Sequence, residues 1–159
     1  MLPERVGKPW RNLNAYVEAR RAEAVAEARL AIRLLAEGYT RNAAGKAFQA
    51  FKSLLAALAG ERREELAMGG LPKVDRLIAY MPTSAMMDVA RLLGLENEAI
   101  IALALHQYQY NGIDPEGVMS IYASRDDAVK DICSLLARIA EILGDEGLKA
   151  ELKNQCPGY

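Results

Sequence analysis

Two amphipathic runs, residues 13–37 and 41–58, stand only three residues apart, and this spacing constrains the fold more than any other feature. In the first run Tyr16, Val17, Ala24, Ala28, Ala31, Leu34 and Leu35 recur at three- and four-residue steps, with Arg20, Arg21, Glu23 and Glu27 largely opposite. In the second, Ala44, Ala47, Phe48, Phe51, Leu54, Leu55 and Leu58 form a similar stripe. Gly38 suits a left-handed helix end, and Thr40 suits the next N-cap. Helices joined this tightly must double back as an antiparallel hairpin. Gly45, in mid-helix, is less favourable than Ala by about 1 kcal/mol, and close approach of the first helix is the expected reason for it. Gly60 is expected to stop the second helix.

Downstream, the charged run 61–65 predicts another turn or two of helix before Gly69 and Gly70. Short helices are predicted over Pro72–Tyr80, opened by the proline, and over Ala85–Leu93, capped by Thr83 or Ser84. A further helix opens at Glu96 or Asn97 and runs to Tyr110. Ser124 and Asp127 resemble a capping box ahead of a long helix, Arg125–Leu143, and a last short helix spans Gly147–Lys153. No stretch alternates with period two. The predicted fold is an all-α helical bundle of four to six helices with a long N-terminal antiparallel hairpin. Its divisions are an irregular arm (1–12), one bundle domain (13–145) and a short C-terminal helix with a tail (146–159).

A chain of 159 residues with 52% apolar and 26% charged residues matches one soluble domain. No apolar run approaches the ~20 residues of a membrane span, and residues 1–10 have no apolar leader segment, so no membrane association and a cytoplasmic location are expected. The net charge of −1 provides no global basic field for nucleic acid. Residues 1–66 nevertheless hold 12 Lys/Arg against 8 Asp/Glu, and the remainder 8 against 13. Two oppositely charged solvated faces of one bundle are expected, with pairing inside the fold or across an oligomer as alternatives. Neither Cys133 nor Cys156 has metal-ligand spacing to a partner, so no metal and no cofactor are expected. Cys133 is expected as a small buried hydrophobe rather than one half of a tail-to-helix disulfide.

The candidate site falls in residues 106–116. His106, the sole histidine, titrates near neutrality and suits acid–base work. One helical turn puts Tyr110 on its side, with Tyr108 and Asn111 close by, a grouping able to stack on a nucleobase and bond a phosphate. The plainer reading is a helix-end histidine donating to a backbone carbonyl or to Asp114. Asp114, in the turn 111–117, suits backbone capping, and Asp114 with Glu116 supplies too few oxygens for a cation. On the second helix Lys46, Gln49 and Lys52 form a polar strip that faces either an anionic ligand or solvent, with one lysine able to pair with Asp114 or Asp131. Asn42 reads as a capping residue.

Residues 41–52, RNAAGKAFQAFK, and 105–116, LHQYQYNGIDPE, together resemble the archaeal PaREP-type family, with the likeness extending over about residues 13–143. That family in turn resembles the HEPN superfamily of helical bundles. The resemblance implies a nucleotide- or RNA-binding module and a homodimer. Some HEPN proteins are metal-independent ribonucleases with Arg and His four to six residues apart, and others are non-catalytic partners of nucleotidyltransferases. Residues 98–105 contain no Arg or Lys, so the nuclease spacing is absent. A ribonuclease would need His106 to work with Arg91 or Arg41. The expected function is therefore a binding module using Lys46, Gln49, Lys52, His106, Tyr108, Tyr110, Asn111 and Asp114. The alternatives are that ribonuclease, and a protein-interaction partner of a nucleotidyltransferase or toxin-like enzyme.

Overall fold

Asn12 opens the first helix because its carboxamide oxygen accepts the Ala15 N–H, which would otherwise lack an intrahelical partner. A computed structural model describes residues 2–159 and is all-helical, with no strand among them. The helices are α1 (Leu13–Ala36), α2 (Thr40–Glu61), α3 (Arg63–Met68), α4 (Val74–Tyr80), α5 (Met86–Leu93), α6 (Glu96–Asn111), α7 (Arg125–Leu143) and α8 (Glu146–Gln155). A 3₁₀ turn at Thr83–Ala85 precedes α5. Eight α-helices exceed the four to six expected, because breaks around Arg62, Gly69–Lys73 and Met81–Pro82 divide the middle third into short pieces.

α2 is the central helix. It is buried on most sides and packs against α1, α4, α5, α6 and α7, leaving Arg41, Asn42, Lys46, Gln49 and Lys52 toward the surface. Phe48, Phe51, Leu54 and Leu55 are its largest buried side chains, each contributing about 1.5–3 kcal/mol of transfer free energy. α1 runs back along α2. Arg21 pairs with Glu61, and Glu27 pairs with Lys46, so the start of one helix lies beside the end of the other. Gly38 closes α1 at φ +86°. Thr40 is the first residue of α2 rather than a side-chain cap, and its hydroxyl accepts from Arg125 Nε at 2.7 Å. Asn42 lies inside α2 rather than capping it.

Both glycines of α2 mark close approach, but not as expected. A Cβ on Gly45 would fall 2.4 Å from the Gln109 side chain, so the close neighbour is α6 and not α1. Gly60 does not stop α2. It lies in the helix, and a Cβ there would fall 2.8 Å from Val17 Cγ2 of α1. Close approach of the hairpin helices is thus built at Gly60.

The C-terminal helices join the same core through Leu148 and Leu152. Ser124 caps α7 by accepting from Asp127 N–H and donating to its carboxylate. Cys133 and Cys156 form a disulfide, with Cα atoms 5.8 Å apart, so Cys133 is not a free hydrophobe. The docking of α8 sets this distance, which lies in the normal range for a bridge. Arg29 on α1 meets Asp145 and Glu151, and Arg63 meets Asp75, so a few ion pairs join the basic and acidic halves.

Candidate functional site

α2 carries Gln49, Lys52 and Ser53 along a strip flanked by α1 and by the end of α4. These side chains, with Lys8, Arg20, Glu23, Tyr80 and Met81, line a cleft of about 260 Å³. Four local features shape it. The Tyr16 hydroxyl donates to the Ile78 carbonyl, fixing α4 against α1. Arg20 bridges the same elements, donating to the Tyr16 hydroxyl, Glu23 and the Ala79 carbonyl. Met81 ends α4 at φ +36°, a left-handed conformation uncommon outside glycine, and turns the chain directly after Tyr80. The arm folds back so that the Lys8 ammonium lies 4.4 Å from the centre of the Tyr80 ring.

The electrostatics of the cleft are uneven. Three cations line it, and its one carboxylate, Glu23, is engaged by Arg20. Among the described residues neither Lys8 nor Lys52 meets a carboxylate within ion-pair distance. The Tyr80 ring is exposed. The cleft can therefore neutralise an anion with two ammonium groups and offer one aromatic face beside them.

Lys52 also connects the cleft to His106. The imidazole is stacked on Phe48, with ring centroids 4.1 Å apart, and meets the edge of Tyr110 at 5.3 Å. Its Nδ1 is buried and, among the described residues, has no hydrogen-bond partner. Burial, assisted by the nearby Lys52 charge, holds the imidazole pKa below its ordinary value, and the Gln109 side chain opposes this. His106 is thus kept toward its neutral form. The expected donation to a backbone carbonyl or to Asp114 is not made.

The eight residues singled out from sequence do not form one constellation. Gln49 and Lys52 line the cleft; His106 and Tyr110 form the adjoining aromatic group. The other four are engaged elsewhere. Lys46 pairs with Glu27 at 2.9 Å, and not with Asp114 or Asp131. Tyr108 is buried edge-on to Tyr122. The Asn111 amide donates to the Gln107 and Met119 carbonyls. Asp114 accepts from the N–H groups of Glu116, Val118, Met119 and Ser120. The bond from Met119 is foremost in holding its carboxyl below the usual range. Asp131 accepts the Tyr122 hydroxyl at 2.7 Å.

Lys8, Arg20 and Tyr80 had no sequence signal as a group. They lie in the arm, in α1 and at the end of α4, and only the tertiary turn at Met81 brings them together. The Tyr80-Met81-Pro82 break hinted at a bend, but not at its direction.

Arg41 donates to the Gln109 and Tyr110 carbonyls at 3.0 and 2.5 Å, placing a cation on the C-terminal end of α6. Arg91 is held by Asp88 and Glu96. Both arginines that a ribonuclease reading would use are occupied. No helix among the described residues is long and apolar enough to cross a membrane.

Fold and cleft together define an all-α bundle with a cationic, aromatic-edged cleft on its central helix. The profile of the archaeal PaREP1/PaREP8 family matches residues 19–133, and the chain belongs to that family. No curated protein and no solved structure matches it.

Proposed function

We propose that this protein is a HEPN-like helical module that binds nucleotide or RNA in the cleft between α1, α2 and α4. The observation that carries the proposal is the pair of ammonium groups, Lys8 and Lys52, left without carboxylate partners beside the exposed Tyr80 ring. Phosphate oxygens would take the ammonium groups, and a base would stack on Tyr80, displacing Lys8 from the ring. Base–aromatic stacking contributes about 1–3 kcal/mol per base. His106 and Tyr110 extend the surface beyond Lys52, so a short single strand fits better than a mononucleotide alone. The HEPN resemblance adds a homodimer, and we place the protein in the cytoplasm.

The test is fluorescence anisotropy of a labelled oligouridylate, with uridine monophosphate as competitor. Wild type should bind the oligomer more tightly than the monophosphate, and Lys52→Ala and Tyr80→Ala should each weaken binding. Failure of wild type to bind either ligand would end the proposal.

Catalysis is the weaker reading, since neither Arg41 nor Arg91 is free to work with His106. A different observation favours a protein-binding role. Val118, Met119 and Ile121 are exposed on a loop held rigid by Asp114, and an exposed apolar patch on a fixed loop suits a protein partner. In that reading a nucleotidyltransferase or toxin-like enzyme docks there. A Met119→Asp variant would lose the partner while retaining oligouridylate binding.

A further inference from the structure

A second and larger cavity shares no lining residue with the cleft. It has a volume of about 560 Å³ and is framed by α6, α7 and α8, which is within the ~300–1,000 Å³ of small-molecule sites. Its floor is apolar, formed by Leu135, Ala140 and Leu152 with the half-buried Ile101 and Ala137. The disulfide ties the end of α8 to α7 beside this floor, between the neighbours Ser134 and Lys153. The cavity is therefore framed by a covalent link.

Its charges are not evenly available. Arg138 is consumed between α6 and α7, where it meets Glu98 at 2.9 Å and Glu141 at 3.2 Å. The cavity's two side-chain carboxylates, Glu98 and Glu141, are occupied by that same arginine. The α8 wall instead carries Lys149 and Lys153, one turn apart. Lys149 meets only Glu146, which is largely solvent-exposed, and Lys153 meets no carboxylate among the described residues. An oily floor with available positive charge along one wall complements a molecule with an apolar body and one anionic end.

We propose that the α6–α7–α8 cavity binds a small amphipathic anion, its hydrocarbon part on Leu135, Ala137 and Leu152 and its anionic head on Lys149 and Lys153. A cationic amphiphile would meet two lysines.

Isothermal titration of the disulfide-bonded protein with dodecanoate and with dodecyltrimethylammonium, both below their micellar concentrations, tests this. Dodecanoate should bind one per chain and the cationic chain should not. The exposed double variant Lys149→Glu/Lys153→Glu should lower dodecanoate affinity by about tenfold or more, as expected for lost charge-assisted contacts. Ala137→Trp should fill the cavity and abolish binding, with circular dichroism verifying the fold. Lys52→Ala should bind dodecanoate as wild type does, which separates this site from the nucleotide cleft. Equal binding of both amphiphiles, or an unchanged affinity in the lysine double variant, would overturn the proposal.

Discussion

The loop after α6 and the cleft beside α2 are both rich in polar side chains, yet they are built in opposite ways. In the loop almost every polar group has a partner. Asp114 takes four backbone N–H groups, Asn111 bridges two carbonyls, and Tyr122 donates to Asp131. In the cleft, Lys8 and Lys52 have no carboxylate partner among the described residues, and the exposed Tyr80 ring meets only the Lys8 ammonium. Polar groups that satisfy one another hold a backbone in place. Polar groups left unsatisfied at a surface remain available to something else. Polar density alone does not locate a binding site; the partners of each group do.

If the comparison is right, changes in the loop should alter stability and changes in the cleft should alter binding. The largest expected effect is at Tyr122, which is 3% exposed. Tyr122→Ala removes a buried aromatic ring and should lower stability in urea by about 3–5 kcal/mol. A loss below about 1 kcal/mol would mean that the loop is not anchored as described. Next comes Asp114→Ala, which should speed amide exchange at Val118, Met119 and Ser120 while leaving the helices protected. The same amides should lose protection in acid. The Asp114 carboxyl is depressed in the folded state, so its contribution is complete above the ordinary carboxylate pKa and is lost as pH falls through the folded value.

A smaller effect is expected at His106. Its folded pKa lies below the ordinary 6.5, so the unfolded chain takes up a proton first as pH falls. Stability should therefore decline as pH drops from 6.5 toward the folded value, and His106→Phe should remove that part of the slope. A pH profile identical in the variant would show that the imidazole is not held neutral by its surroundings. The smallest effect on stability belongs to the cleft. Lys8→Ala and Lys52→Ala should each change unfolding free energy by no more than about 0.5 kcal/mol. A larger loss in either variant would make that lysine part of the scaffold and erase the contrast.

Helix content was largely legible in the sequence because it depends on local signals. The three-four spacing, Gly38 and Ser124 marked boundaries that hold to within a few residues. What was not legible depended on which helices meet. Gly45 and Gly60 both signalled close approach or a break, but only the packed bundle assigns Gln109 to one and Val17 to the other. The Cys133–Cys156 bridge depended in the same way on where α8 docks. Half of the candidate site suffered from this too. Sequence proximity grouped Tyr108, Asn111 and Asp114 with His106, whereas the fold turns those three toward the loop and brings Lys52 alongside His106. Lys8, in an irregular arm, could not be paired with Tyr80 before the turn at Met81 was known.

The most direct measurement is the salt dependence of oligouridylate affinity in wild type and in Lys52→Ala. If Lys52 neutralises a phosphate, log affinity should fall linearly with log salt in wild type, and the variant's slope should be shallower by about 0.7. Parallel slopes for the two proteins, or affinity indifferent to salt, would contradict the assignment of the cleft.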